Sequence, residues 1–179
     1  MTINKPLTFC ALMICGVFGA QAAGTNTITF TGKVIESACT ITVNDGNASL
    51  DLGSTLATDI ATAGQTGAPK EFNISLTDCP KAAVGIPTKA FVKFTGDTDG
   101  NTSYFKNNAT SGTKAANTGV MLKDNKGTAI VNNDGNGQID LPTEGGDISL
   151  TYSAMLVATA NTPTQGDVSS TLTYTVSYE

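Results

Sequence analysis

The segment Gly24–Val34, with the sequence G-T-N-T-I-T-F-T-G-K-V, alternates in polarity residue by residue. Its apolar and small positions share one parity and are Ile28, Phe30, Gly32 and Val34. Strict alternation places such residues on one face of a β-strand, and β-branched and aromatic residues favour the extended state. The glycine on the apolar face predicts a close approach of another backbone. The pattern alone leaves open whether this strand joins its own sheet or that of a neighbouring molecule.

The first 22 residues have the composition of a leader. Lys5 lies in a short polar start, residues 7–18 are apolar or small, and Ala20-Gln21-Ala22 is typical of a cleavage site. The apolar run is too short to cross a bilayer, which takes about 20 residues. We therefore predict that residues 1–22 are a signal peptide, that the mature chain begins at Ala23, and that the protein is exported.

Composition excludes several function classes. The chain of 179 residues has no histidine and no tryptophan, and its net charge is −5. A Ser-His-Asp triad and an imidazole zinc site are therefore impossible, and no basic patch is available for nucleic acid. Loop acids such as Asp97 and Asp99 are not placed in a cleft by any pattern, so solvated carboxylates are the better interpretation. The sequence predicts no enzyme, no cofactor and no metal.

Two cysteines remain once the leader is removed. Cys39 and Cys79 form one pair in an exported protein, which predicts a structural disulfide. The spacing has no C-x-x-C redox signature. Closing a loop of about 40 residues contributes roughly 4 kcal/mol in the chain-entropy model.

The mature chain contains several short alternating segments separated by Asn, Asp and Gly turns, without sustained helical periodicity. The predicted strands are Ala38–Val43, Ala48–Leu52, Glu71–Leu76, Lys89–Phe94, Gly119–Lys123, Thr128–Val131, Asp147–Ala158 and Val168–Tyr178. Residues 96–118 are predicted to form a long polar loop interrupted by Tyr104 and Phe105. About eight strands with turns between them predict one antiparallel β-sandwich.

One turn resembles half of a calcium-binding loop. Residues 132–139, N-N-D-G-N-G-Q-I, place oxygen donors at alternate positions before a glycine and a hydrophobic residue. The twelfth position is Thr143 instead of glutamate, and Pro142 blocks the helix that should follow. A connection between strands is therefore the favoured interpretation.

The last predicted strand ends the sequence given. Leu172, Tyr174, Val176 and Tyr178 alternate up to Glu179. A sandwich strand with an apolar face needs a neighbour on each side, because an unpaired edge is a template for another strand. Folding the equally apolar N-terminal strand back onto it is one solution, and pairing with another molecule is the other.

Several blocks of the chain resemble the type 1-type pilins of chaperone–usher fimbriae, in the same order. They are the glycine seven positions before Cys39, the second cysteine after N-I-S-L-T-D, the segments T-G-V-M-L-K-D and I-S-L-T-Y-S-A-M-L-V-A-T, and the ending Y-T-V-S-Y-E. Together they span essentially the whole mature chain. The chain is therefore identified as a member of this family.

This resemblance implies an all-β fold: an incomplete immunoglobulin-like sandwich lacking its last strand, preceded by an N-terminal donor-strand arm. The implied organisation is a signal peptide (1–22), a donor-strand extension (23–36) and the pilin domain (37–179). Ile28, Phe30, Gly32 and Val34 would enter a neighbour's groove. That groove would be bordered by the C-terminal strand, with Leu172, Tyr174, Val176, Tyr178 and Glu179.

The implied function is that of a structural subunit in an adhesive fimbria. Its partners would be identical or related pilin subunits in a head-to-tail filament, a periplasmic chaperone that holds the segment around Tyr178 and Glu179, and an outer-membrane usher. The expected location is the fimbrium at the cell surface, reached through the periplasm. The alternative is a minor adaptor or tip subunit that binds a carbohydrate receptor directly.

Overall fold

The structure, a computed structural model, describes residues 38–179. Nine strands and one short 3₁₀ turn (Asn44–Gly46) are formed in this part of the chain. The strands are β1 (Thr40–Val43), β2 (Lys70–Cys79), β3 (Lys89–Thr95), β4 (Thr98–Asp99), β5 (Asn101–Lys106), β6 (Thr118–Lys123), β7 (Gly135–Asp140), β8 (Gly146–Ala158) and β9 (Thr173–Tyr178).

The strands form two antiparallel sheets. One has six strands in the order β1-β2-β8-β6-β5-β4, and the other has three in the order β7-β3-β9. The chain crosses between the sheets after β2, β3, β6, β7 and β8, so neighbours in sequence often lie in different layers. The predicted all-β sandwich is confirmed, and β9 has a strand neighbour on one side only within the described residues.

Side chains from both sheets meet in the main core. Ile74, Tyr152 and Leu122 come from the six-stranded sheet, whereas Val92 and Phe94 come from β3. The alternation of β3 decides this packing, because Ala90, Val92 and Phe94 are buried on its inner face and the residues between them are half-buried. Burial of apolar area in this layer is the main source of folding free energy.

A second cluster lies at one end of the sandwich, around the disulfide. Cys39 and Cys79 are bonded, with their Cα atoms 4.2 Å apart. Both are buried with Leu76, and Tyr178 at the end of β9 packs against them. The predicted cysteine pair therefore joins the start of β1 to the end of β2 and supports the end of β9.

Three predicted strands differ in the structure. Ala48–Leu52 is irregular, because no strand pairs with it in the described part of the chain. Thr128–Val131 makes a single bridge, between Lys123 and Ala129, before the chain leaves the hairpin. The predicted Val168–Tyr178 strand pairs with β3 only from Thr173 onward.

The predicted polar loop at 96–118 contains two strands. β4 and β5 form a hairpin at the edge of the six-stranded sheet, and Phe105 of β5 is fully buried opposite Val120. The alternation of β5 includes only one large apolar residue on its inner face, which is too weak a signal to detect from sequence.

The stretch that resembled half of a calcium loop contributes β7. Its glycine-rich sequence has little intrinsic strand preference. It becomes a strand because Gln138 and Ile139 pair with Phe91 and Ala90 of β3. Interpreting this stretch as a plain connection was therefore wrong, and among the described residues no cluster of three or more His, Cys, Asp or Glu side chains could hold a metal ion.

The predicted signal peptide and donor-strand extension, with Ile28, Phe30, Gly32 and Val34, lie outside the described residues. Within residues 38–179, none of the helical segments has the length and apolar character needed to span a membrane.

Candidate functional site: an open groove beside the last strand

A groove of about 900 Å³ opens between the two sheets. Its floor is apolar and is contributed by both layers. The floor residues are Phe72, Phe94, Val120, Leu122, Ala154 and Leu156. Phe72, Phe94 and Tyr152 form an aromatic cluster at this floor, with the Phe94 and Tyr152 rings edge to face at 5.2 Å between centroids. A long apolar depression of this kind fits an extended chain that places alternate side chains downward.

One wall of the groove is formed by β9 and the residues before it. Lys89 and Glu179 exchange two main-chain hydrogen bonds of 3.0 Å, which fixes the phase of the β3–β9 ladder. By antiparallel alternation, the odd-numbered residues of β9 direct their N–H and C=O groups toward β3. Tyr174, Val176 and Tyr178 therefore direct theirs to the opposite edge, where the described residues supply no partner strand.

The other wall is the irregular segment 47–57. Residues 48–55 form no backbone–backbone hydrogen bond within the described part of the chain. Leu50 and Leu52 nevertheless pack their side chains on the core, whereas Leu56 is 68% exposed. The groove is thus flanked on one side by the outer edge of β9 and on the other by an irregular segment, in which the N–H groups of Ser49 and Gly53 are bonded to side-chain oxygens of Asn47 and Asp51.

The charge of the groove disfavours an anionic occupant. Among the described residues, its charged lining consists of Asp51 and Asp167. The Oδ1 atom of Asp51 accepts a hydrogen bond from the Gly53 N–H at 2.9 Å. An apolar strand with hydroxyl side chains on its outer face is compatible with this chemistry.

Burial perturbs two tyrosines of the sandwich. Desolvation raises the pKa of Tyr152 to about 12, and the nearby Asp124 carboxylate adds to that rise. Burial also raises the pKa of Tyr178, while the backbone of Cys39 acts in the opposite direction. Both side chains therefore stay neutral at physiological pH and serve packing, not acid–base chemistry.

The predicted groove residues fall in two places. Leu172 and Tyr174 line the groove itself. Val176 and Tyr178 pack toward the disulfide cluster, with Val176 also touching the main core. The terminal oxygen of Glu179 accepts hydrogen bonds from the amides of Thr88 and Lys89, at 2.9 and 3.0 Å.

Sequence reasoning missed the wall at 47–57 and the floor. The alternation of Leu50 and Leu52 was the available signal, and it was interpreted as a paired strand. Phe72 and Leu122 were assigned to predicted strands but not to a groove, because alternation does not tell which core side chains are left uncovered.

The fold and this groove define an immunoglobulin-like β-sandwich in which β9 has one strand neighbour among the described residues. The model of the fimbrial protein family matches residues 28–179. The chain is 31% identical over 173 residues to the probable major fimbrial subunit LpfA of Escherichia coli O157:H7, covering 97% of this chain and 94% of that protein. It is 30% identical over 175 residues to the long polar fimbria protein A of Salmonella typhimurium, covering 97% and 94%.

A solved chaperone–usher pilus structure, described for its rod uncoiling, has the same fold. Its TM-score is 0.66 at 21% identity, covering 87% of this chain and 96% of that one. The chain therefore belongs to the fimbrial protein family. It is a structural subunit of a fimbrium, polymerises with other pilin subunits, and is located at the cell surface in that filament.

Proposed function

We propose that this subunit polymerises by donor-strand exchange, in which the arm of one subunit fills the groove of the next. The observation that carries the proposal is the apolar groove beside the edge of β9 that has no partner strand among the described residues. The proposed organisation is a signal peptide at 1–22, an arm at 23–36 and a pilin domain at 37–179.

The arm has the polarity that the groove requires. Ile28, Phe30 and Val34 share one parity and would face the apolar floor, while the threonines and Lys33 of the other parity would face solvent. Gly32, in the apolar register, would lie where the groove is shallow, since it adds no side chain. An inner face without carboxylates also suits a lining whose charged side chains, among the described residues, are two carboxylates.

The main chain would supply the rest of the recognition. Strand addition to an exposed edge forms main-chain hydrogen bonds, and side chains in pockets give specificity. Within the described residues, the available groups belong to Tyr174, Val176 and Tyr178 of β9 on one side. On the other side they belong to residues 48–55, except for the N–H groups of Ser49 and Gly53, which donate to side chains.

Insertion of the arm is favourable only if it also stabilises the acceptor subunit. Burying three large apolar side chains contributes a gross of roughly 5–9 kcal/mol, at about 1.5–3 kcal/mol each. Ordering the arm costs about 1–2 kcal/mol per residue. The difference must come from hydrogen bonds and from improved packing of the acceptor core around Phe72 and Phe94, so folding and assembly are coupled.

The geometry of the contact propagates it. The arm and the groove are different surfaces of one subunit, so the contact is head-to-tail and does not close on itself. A heterologous contact of that kind builds a filament.

The same incompleteness calls for assistance before assembly. A periplasmic chaperone would cover the β9 edge and hold the segment around Tyr178 and Glu179, and an outer-membrane usher would exchange it for the next arm. The exposed side chain of Glu179 favours a basic partner site. The subunit performs no catalysis in this scheme, in keeping with a family of structural proteins.

The proposal is tested by refolding residues 36–179 with and without a synthetic peptide of residues 23–35. We expect the peptide to raise the melting temperature by about 10 °C or more, because each kcal/mol shifts a domain of this size by about 2–4 °C. The matched control is the same peptide with Phe30→Arg, which cannot desolvate its charge on an apolar floor.

Equal melting temperatures with the two peptides would contradict the proposal. A second variant, Gly32→Leu, examines the shallow position. We expect it to obstruct filament assembly while chaperone binding is retained, and normal filaments from that variant would count against this role of Gly32.

A further inference from the structure

The edge that β9 leaves without a partner strand in residues 38–179 continues into the segment before β9. Asp167 and Ser169 both direct their main-chain groups away from the groove side of the chain. Asp167 donates to the carbonyl of Thr113 at 2.6 Å and accepts from the Ala115 amide at 3.1 Å, and the Ser169 carbonyl accepts from the Asn108 amide at 2.6 Å. The same alternation holds in the β3–β9 ladder. There the odd-numbered residues of β9 direct their N–H and C=O groups toward β3, and the even-numbered residues direct theirs to the opposite side.

Thr171, between Ser169 and β9, follows the same alternation. Its carbonyl oxygen faces Gly96, close enough that a side-chain carbon at that glycine would approach it to 3.2 Å. The segment from Asp167 to Glu179, called the ribbon below, therefore has its odd-numbered residues turned toward its own domain.

Asn107 replaces a strand partner at the start of this ribbon. It is 2% exposed and lies directly after β5. Its Nδ2 donates to the Asp167 carbonyl at 2.9 Å, and its Oδ1 accepts from the Ser169 amide at 3.0 Å. One carboxamide thus pairs with the residues on both sides of Val168, as a neighbouring peptide group would in a β-ladder.

The remaining bonds of Asn107 fix the carboxamide itself. Nδ2 also donates to the Ala115 carbonyl at 3.0 Å, and Oδ1 also accepts from the Ala109 amide at 3.0 Å. Thr118 Oγ1 lies 3.4 Å from Nδ2. A buried amide with this many partners has one orientation, because any rotation leaves a donor or an acceptor unsatisfied.

Val168 is the residue that this arrangement exposes to the groove. Its side chain packs on the core and it lines the groove. Within the described residues its N–H and C=O make no hydrogen bond, and the phase of the ribbon turns them to the same side as those of Tyr174 and Val176.

We propose that Asn107 is a positioning residue for the groove, and that Val168 is a further docking position for the incoming strand, extending the edge that β9 presents. This inference rests on the proposed function. An edge from Val168 to Tyr178 spans ten residue steps, about 33 Å at 3.3 Å per residue, which a peptide of residues 23–35 is long enough to cover.

The test uses the full mature chain with Phe30→Arg, so that its own arm does not compete, folded with an excess of the peptide of residues 23–35. Amide hydrogen exchange is followed by NMR. We expect the N–H of Val168 to be protected to a degree similar to those of Tyr174 and Val176. Protection of Tyr174 and Val176 without protection of Val168 overturns the inference and leaves the proposed function standing, whereas loss of protection at all three contradicts the proposed function itself.

The variant Asn107→Asp separates positioning from general stability. It keeps the shape and the acceptor oxygen but removes the donor to Asp167 and Ala115. We expect protection at Val168 to fall about tenfold while protection at Tyr174 and Val176 is retained. A uniform loss along the edge, or no loss, overturns the role of Asn107.

The matched control is Asn108→Asp, the same change at the exposed neighbour. The side chain of Asn108 makes a long hydrogen bond, from its Nδ2 to Asp97 Oδ2 at 3.5 Å. We expect it to leave the protection of all three amides unchanged.

Peptides shortened by four residues at one end or the other give a measurement that needs no variant of the acceptor. One truncation should remove protection at Val168 alone, and equal effects of both truncations on all three amides would overturn the inference.

Discussion

Strands β8 and β9 both contain an alternating stretch but have different surroundings. Every second residue from Ile148 to Leu156 in β8 packs on the core, as do Val176 and Tyr178 in β9. β8 pairs with β2 on one side and β6 on the other, whereas β9 pairs only with β3 among the described residues. Alternation therefore predicts that a strand exists and which face is buried, but not how many neighbours it has.

Removing the disulfide should have the largest effect. Cys39→Ser combined with Cys79→Ser should lower the free energy of unfolding of the peptide-filled domain by about 4 kcal/mol, because the unfolded chain gains the entropy of an open loop. Chemical denaturation with and without the bond measures this. Since Tyr178 packs on the bonded cysteines, amide exchange should increase first at the end of β9, and a first increase in β8 would contradict the proposed support of β9 by this cluster.

Truncating Tyr152, a residue of β8, should lower the free energy of unfolding. Tyr152→Ala removes a ring that contacts Phe72 and Phe94 and should cost about 3 kcal/mol of unfolding free energy. Tyr152→Phe is the control and should cost far less. Because all strand partners of β8 belong to its own chain, the cost should remain when the arm peptide is in excess, and full rescue by peptide would contradict the contrast with β9.

Changing the irregular wall should affect binding of the arm more than folding. Leu52 is half-buried against the core, whereas Leu56 is mostly exposed. Leu52→Ser should weaken binding of the arm peptide by about 1.5 kcal/mol, roughly a tenfold rise in Kd, since an apolar contact is replaced by a hydroxyl. Calorimetric titration measures this. Leu56→Ser is the matched control, and an equal effect of the two changes would show that the wall does not contact the occupant.

The smallest predicted effect is on pH dependence. Burial raises the pKa of Tyr152 from 10.0 to about 12, so the folded state holds this proton more tightly than the unfolded state. The associated stability is complete below pH 10 and is lost as the pH rises toward 12. Between pH 8 and pH 11 the free energy of unfolding of the domain should fall by about 1 kcal/mol more than that of the Tyr152→Phe variant. If the free energies of unfolding of the two proteins changed equally with pH, the prediction would be wrong.

Much of the sandwich was predictable because local pattern and tertiary packing agree there. The inner faces of β2 and β3 follow the alternation of the sequence, and Cys39 and Cys79 are bonded as expected. β7 was not predictable, since its glycine-rich sequence becomes a strand only through pairing with β3. Ala48–Leu52 failed in the opposite way, because it alternates like a strand but has no strand partner in the described residues.

The groove was only partly predictable for the same reason. Leu172 and Tyr174 were assigned to it from sequence, while the residues of its floor and of the opposite wall were not. Asn107 gave no signal at all. An asparagine in a polar stretch predicts a turn, and only the convergence of two distant loops makes it a buried partner of Asp167 and Ser169.

The β class, the buried faces of β2 and β3 and the pair of bonded cysteines followed from the sequence, because alternation and residue type are properties of each local segment. Tertiary packing was needed to show that β9 has a strand neighbour on one side only within the described residues, and which side chains form the groove floor beside it. Those properties depend on which segments are adjacent in space, and hydrogen-bond pairing between segments far apart in sequence leaves no periodic signal in either of them.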